Sequence, residues 1–177
     1  MTYYSILKTG LGGVLLTANP TELTGLYFGD RAHAPAIPGD WIRDPEHIVL
    51  KQAREQIEEY LDGARASFAV PLRLSGTTFQ QRIWAEIAKI PYGQTITYGD
   101  LAKRVGSPNA VRAAGMATGR NPIGIIIPCH RVIGKDGSLT GYAGGLERKR
   151  HLLGLERQKD ESKKTDRSSP ANFCLTA

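Results

Sequence analysis

The 177 residues suit one ordinary domain or two small ones, and 41% hydrophobic against 23% charged residues excludes a disordered, collagen-like or membrane-embedded chain. Twenty-three Lys and Arg against 17 Asp and Glu give a formal charge of +6, which favours a polyanionic partner without naming one. The two cysteines, Cys129 and Cys174, are too few for a disulfide framework and have no zinc-ligand spacing.

Along the chain, Tyr3 to Leu7, Val14 to Thr17 and Leu23 to Phe28 are short apolar stretches separated by Gly10, Gly12-Gly13 and Asn19-Pro20. They predict an antiparallel meander. Residues 30 to 43, with Pro35, Pro38 and Gly39, predict loop. Asp44 as N-cap and Pro45 at the first helical position open a helix on which Val49, Ala53, Ile57 and Leu61 recur up to Gly63. Ser67 to Leu74 alternates as a strand does. The composition then changes at Ser75-Gly76-Thr77, which sets a supporting unit at 1–76 and a second unit at 77–157.

The second unit reads as helical. Thr78 caps a helix from Phe79 to about Ile90 with Ile83, Trp84, Ile87 and Ile90 on its apolar side, stopped by Pro91-Tyr92-Gly93. Thr97-Tyr98-Gly99-Asp100 fits a capping box with Asp in place of Glu and opens a short helix ended by Gly106. Ser107 and Pro108 start the next helix, which runs through Ala110 to about Thr118. Two short helices joined by a Gly turn form a helix-turn-helix pattern. The second exposes small residues, Ala110, Ala113 and Gly115, around a single Arg112, a surface that allows close approach to a groove.

The residues that carry chemistry follow the apolar run Ile123 to Ile127, in Pro128-Cys129-His130-Arg131-Val132. An ordinary thiol is only a few per cent ionised at neutral pH, so a reactive Cys129 needs a proton acceptor or a nearby positive charge. His130 and Arg131 are the candidates, with Glu156 as a carboxylate able to fix the imidazole tautomer. On these residues alone Cys129 reads rather as a small buried hydrophobe, the commoner fate of a free cysteine.

Pro128 to Val132, preceded by Asn121-Pro122 and followed by Gly141-Tyr142-Ala143-Gly144-Gly145, resembles the active-site region of the O6-alkylguanine-DNA alkyltransferases. The likeness runs from about Phe79 to Glu156 and continues less distinctly over the first unit. It implies an α+β protein: a small N-terminal α/β domain of ribonuclease H-like fold, then a helical C-terminal domain built on a winged helix-turn-helix. It also implies Cys129 as irreversible alkyl acceptor, acting once per molecule, with His130 as base through a water and Glu156 polarising that His. Asn121 would brace the turn before the thiol, with Pro122 following.

By the same resemblance, Tyr98 presses on the phosphate 3′ of the target nucleotide, and Arg112 fills the place of the flipped guanine. Tyr142, Ala143, Gly144 and Gly145 line the lesion pocket, and Thr118 holds a pocket position that varies among relatives. The implied partner is alkylated double-stranded DNA, met by a monomer; no cofactor, no membrane contact and no zinc are expected, and activity on O4-alkylthymine stays open. Lacking a signal peptide or an apolar run near the ~18 residues of a spanning helix, the chain is expected in the cytoplasm.

Relatives that bind lesions without repairing them carry Trp where Cys129 stands. A DNA-binding module without chemistry is the rival reading, and a thiol hydrolase using Cys129 and His130 is a third. His33, His47 and His151 read as surface or loop residues. The polar tail at 158–177 predicts disorder and makes Cys174 a bystander.

Overall fold

The computed structural model describes residues 1–29 and 34–167, with side chains as far as Gln158. The predicted meander forms: β1 (Tyr3–Thr9), β2 (Gly12–Ala18) and β3 (Leu23–Phe28) pair antiparallel, Leu7 opposite Val14 and Val14 opposite Phe28. A fourth strand, β4 (Ile42–Arg43), joins β1 in parallel and completes the order β3-β2-β1-β4. The sequence reading has only loop across 30–43; two residues are too few to show a strand's alternation.

That small strand also moves the next helix. The Asp44 amide donates to Tyr4 O at 3.0 Å, so Asp44 belongs to the sheet edge, and its carboxylate accepts from Glu46 N in a turn. α1 (Ile48–Leu61) therefore starts later than the Asp44-Pro45 signal, with His47 at its N-cap, and buries Val49, Leu50, Ala53, Gln56, Ile57 and Tyr60. His47 stacks on Tyr3 at 4.3 Å rather than standing free on the surface. The strand expected at Ser67 to Leu74 reduces to one parallel bridge, Leu23 with Leu72. Pro71 accepts from Leu23 N at 2.8 Å but has no N–H to donate, which interrupts a ladder.

In the second unit α2 (Thr78–Ala88) is capped one residue earlier than predicted, by Thr77 in a box with Gln80. Trp84, 2% exposed, donates to Ala117 O at 2.8 Å and ties α2 to the fourth helix. α3 (Tyr98–Arg104) carries the predicted box, Asp100 N donating to Thr97 Oγ1 at 3.1 Å. Gly106, at φ 70°, ends it: Gly106 N donates to Lys103 O and Ser107 N to Ala102 O, the two bonds of a Schellman closure. A further turn, closed by Ala110 N on Ser107 O at 2.9 Å, then separates Ser107 from the next helix. α4 (Val111–Gly119) begins instead after Ala110, with no side-chain cap.

β5 (Ile96–Thr97) and β6 (Val132–Ile133) pair in parallel, and β6 leads directly out of the turn that holds Cys129. α5 (Leu146–Arg167) closes the described chain, so residues 158–167 have helical backbone where the tail reading expects disorder. Once packed turns pay the nucleation cost, Gln, Lys, Glu and Arg extend a helix readily. Cys174 and His33 lie outside the described residues. No helix among them is long and apolar enough to cross a membrane.

The two units share backbone. Leu26 N of β3 donates to Pro122 O at 2.8 Å, and Gly124 N donates to Leu26 O at 3.3 Å. Leu26 and Ile123 thereby form a parallel bridge, and the run leading to Cys129 is fastened to the N-terminal sheet.

Candidate active site

The chain reaches Cys129 through a forced bend. Ile125 sits at φ 66°, a region costly for a β-branched residue, and is held there by Ile126 N on Gly124 O and Ile127 N on Ile123 O. Asn121 fixes the bend from inside. Its Oδ1 accepts from Ile123 N at 3.0 Å, and its Nδ2 donates to Ile127 O at 2.8 Å and to Cys129 Sγ at 3.2 Å. The bracing role given to Asn121 by resemblance extends here to the sulfur itself.

Cys129, His130 and Arg131 form a single 3-10 turn and are all buried. Such a turn rotates successive side chains by about a third of a circle, so Cys129 and His130 need not face opposite ways as on a strand. His130 Nε2 lies 2.9 Å from Glu156 Oε1, and its Nδ1 is buried with no protein partner among the described residues. A proton on Nε2, directed at the carboxylate, leaves Nδ1 as a free acceptor.

Glu156 is completely buried and collects donors. Tyr60 OH donates to Oε1 at 2.6 Å and Gly93 N to Oε2 at 2.9 Å. The Arg131 guanidinium reaches both oxygens at 2.8 to 3.1 Å and also donates to Ile90 O at 2.6 Å. Burial alone would raise this carboxyl, but the hydrogen bonds from His130 and Arg131 and the Arg131 charge outweigh it and hold the group down at about 2. Arg131, a sequence candidate for activating the thiol, is therefore spent on Glu156.

The cation coupled to the thiol is Lys149. Its ammonium donates to Val132 O at 2.6 Å and Thr140 O at 2.8 Å, and burial lowers it to about 8 against the opposing pull of Cys129. In the sequence it is the middle of Arg148-Lys149-Arg150, indistinguishable from a solvated basic run. Burial pushes the Cys129 thiol up; Asn121, the Lys149 charge and the amides of Cys129 and His130 pull the other way without cancelling it. Burial thus favours the protonated thiol at rest, so attack needs the proton acceptor that the sequence already asks for. Burial likewise lowers His130, opposed by Glu156 and assisted by Arg131 and Lys149, so the imidazole is neutral and able to accept a proton.

A narrow cleft of about 30 Å³ opens onto Cys129 and Asn121, lined by Leu26, Tyr27 and Phe28 on one side and Tyr142, Ala143 and Gly144 on the other. Tyr142 meets His130 edge-on at 6.5 Å, and its buried hydroxyl has no partner among the described residues. Thr118 is buried in α4 with its hydroxyl on Ala114 O at 2.7 Å, outside the lining of this cleft.

On the outer face, Arg112 and Ala113 of α4 are exposed, Gly115 and Ala110 half-buried, and Met116 is 56% exposed, an apolar residue the small-residue pattern leaves out. Tyr98 donates to Thr140 O at 2.8 Å, and a Cβ at Gly115 would come to 3.8 Å from its ring. Tyr98 therefore bridges α4 and the loop at 140–145. Tyr60, Lys149 and Gly93 are the parts of this site that the sequence reading missed. Among the described residues no group of His, Cys, Asp and Glu is arranged to hold a metal ion.

Fold and site together define a protein with a buried cysteine lying behind a helix-turn-helix. Within that class the chain belongs to the 6-O-methylguanine DNA methyltransferase family, whose ribonuclease-like domain matches residues 2–74 and whose DNA-binding domain matches residues 78–158. It is 46% identical over 154 residues to the methylated-DNA–protein-cysteine methyltransferase of Methanosarcina barkeri, covering 87% of this chain and 96% of that one. The Mycolicibacterium paratuberculosis protein of the same name is 41% identical over 175 residues, 99% of each chain. The crystal structure of Mycobacterium tuberculosis OGT in complex with DNA superposes with a TM-score of 0.82 at 42% identity, over 89% of this chain and 94% of that one.

Proposed function

We propose that the protein repairs DNA by direct reversal, as a cytoplasmic monomer that moves the alkyl group of O6-alkylguanine in double-stranded DNA onto Cys129. The observation that carries this reading is the sulfur itself, buried at the foot of a cleft and backed by the His130–Glu156 pair.

A guanine inside a duplex hides its O6, so the base must first leave the stack at a cost of a few kcal/mol. α4 offers a close-approaching face to the groove, Arg112 projects from it to occupy the vacated place, and Tyr98 sits between that face and the loop that receives the base. Tyr142, Ala143 and Gly144 then border the base, with backbone amides close enough to read its edge.

Transfer is an in-line displacement. The thiol proton passes through a water to Nδ1 of neutral His130, and Glu156 steadies the imidazolium through Nε2. Sγ forms a bond to the alkyl carbon as the carbon–O6 bond breaks. The electron pair of that bond goes to the guanine, which takes up one proton and leaves unalkylated. The product on Cys129 is a thioether with no leaving group, so each molecule acts once.

Intact-mass measurement after incubation with a duplex containing O6-methylguanine tests the reading. One added methyl, mapped to the peptide with Cys129, is the expected result. Tight binding without any adduct would leave a lesion-binding module instead.

A further inference from the structure

The cleft above Cys129 has an unexpected second wall. Leu26, Tyr27 and Phe28 belong to β3 of the N-terminal sheet, the unit to which the sequence gives only a supporting part. Phe28 is 5% exposed and packs directly on the loop that lines the opposite side: a Cβ at Gly144 would fall 2.8 Å from Phe28 Cδ2 and 2.5 Å from Tyr142 Cε1. The Gly144 backbone is thus wedged between the two rings, and the loop cannot approach β3 further.

Arg148 locks this arrangement. Its guanidinium carbon lies 4.3 Å from the centre of the Phe28 ring. It donates to Gly144 O at 2.9 Å and to Leu11 O of the β1–β2 hairpin at 2.6 Å, and a Cβ on Gly12 would come within 2.8 Å of it. One side chain therefore fastens the loop, the hairpin and the Phe28 ring together. Planar guanidinium hydrogen bonding and stacking on a ring are both lost in a Lys substitution.

We infer that Phe28, held by Arg148, sets the clearance between β3 and the loop at 140–145 and so decides how large an alkyl group can be presented to Cys129. The inference rests on the function proposed above. Phe28 acts as a pocket wall, and Arg148 is a positioning residue that acts through Gly144 and Phe28. In so narrow a cleft a ring-sized change in one wall cannot be absorbed by slack, and a methylene or two of pocket room commonly changes discrimination by about tenfold or more.

The test is the ratio of single-turnover rates with two duplexes, one bearing O6-benzylguanine and one O6-methylguanine, read by intact mass. Phe28→Ala should raise the benzyl-to-methyl ratio by about tenfold, Phe28→Trp should lower it by a similar factor, and Arg148→Lys should move it in the direction of Phe28→Ala. A wall that merely stabilised the fold would change both rates together and leave the ratio alone. If Phe28→Ala does not fold, Phe28→Leu reads the same ratio. Ratios within about twofold of wild type in folded Phe28 variants overturn the inference. Absence of transfer by the wild-type protein from both duplexes overturns the proposed function and, with it, this inference.

Discussion

Glu156 receives four kinds of donor, and this makes its ionised form costly to lose. An unfolded glutamate titrates at about 4.3. The folded group is held at about 2, so its stabilisation is complete above about pH 4.3 and is lost as pH falls through 2. His130 adds to the same side: its pKa is lowered in the fold, while the unfolded imidazole takes up a proton as pH falls below about 6.5. Stability measured by urea midpoint is therefore expected to be level near neutrality and to decline below about pH 6.5, more steeply below 4.3. Glu156→Gln should cost about 3 kcal/mol, through the uncompensated Arg131 it leaves behind, and should flatten the lower limb. A variant retaining the full acid decline would assign that limb to another carboxylate. Cys129→Ser is expected to keep binding to a lesion duplex in a gel-shift assay and to take up no alkyl group, whereas Cys174→Ser should be alkylated as wild type.

What could be read at this scale depended on distance along the chain. Cys129, His130 and Asn121 stand within nine residues of one another, and Glu156 had one plausible imidazole to serve. Tyr60 and Lys149 had no such signal. Tyr60 looks like one more apolar position of α1, and the burial of Lys149 is created by β6 and the 140–145 loop closing over it.

Helix α1 illustrates how an element acquires a role its own pattern does not announce. Its last turn delivers the Tyr60 hydroxyl to Glu156 at 2.6 Å, and the same oxygen lies 3.3 Å from His130 Nε2. Tyr60→Phe should cost about 2 kcal/mol in a denaturant titration, the usual worth of a bond to a charged acceptor, and should slow methyl transfer. A full-rate variant would leave Tyr60 a purely structural tie. For α4, Arg112→Ala should slow repair of a duplex by about tenfold or more while leaving reaction with free O6-benzylguanine within about twofold. Equal losses on both substrates would remove the flipping role. The elements themselves were legible wherever a cap and its helix were local, as with Thr97 and Asp100. They were misjudged where an extra turn separates the signal from its helix, as Glu46 N on the Asp44 carboxylate precedes α1 and Ala110 N on Ser107 O precedes α4.

Across the whole molecule charge is segregated. Residues 1–76 carry seven Lys and Arg against nine Asp and Glu, and residues 77–158 carry 12 against five. Binding to duplex DNA should therefore fall linearly on a log–log plot against salt, by about 0.9 in slope per phosphate neutralised. A flat plot would mean that the basic half does not meet the backbone. The composition change at Ser75-Gly76-Thr77 is visible in the sequence because composition changes locally, whereas the contacts between residues on its two sides are not.

Those contacts change what the division means. Leu26 is bonded to Pro122 and Gly124, Tyr60 to Glu156, and Leu11 to Arg148, so each half completes the catalytic pocket of the other. A chain broken at Gly76 is therefore expected to give two fragments that take up no alkyl group alone and regain uptake when mixed. Labelling of Cys129 in the mixed fragments, against none in either fragment alone, is the measurement that checks this.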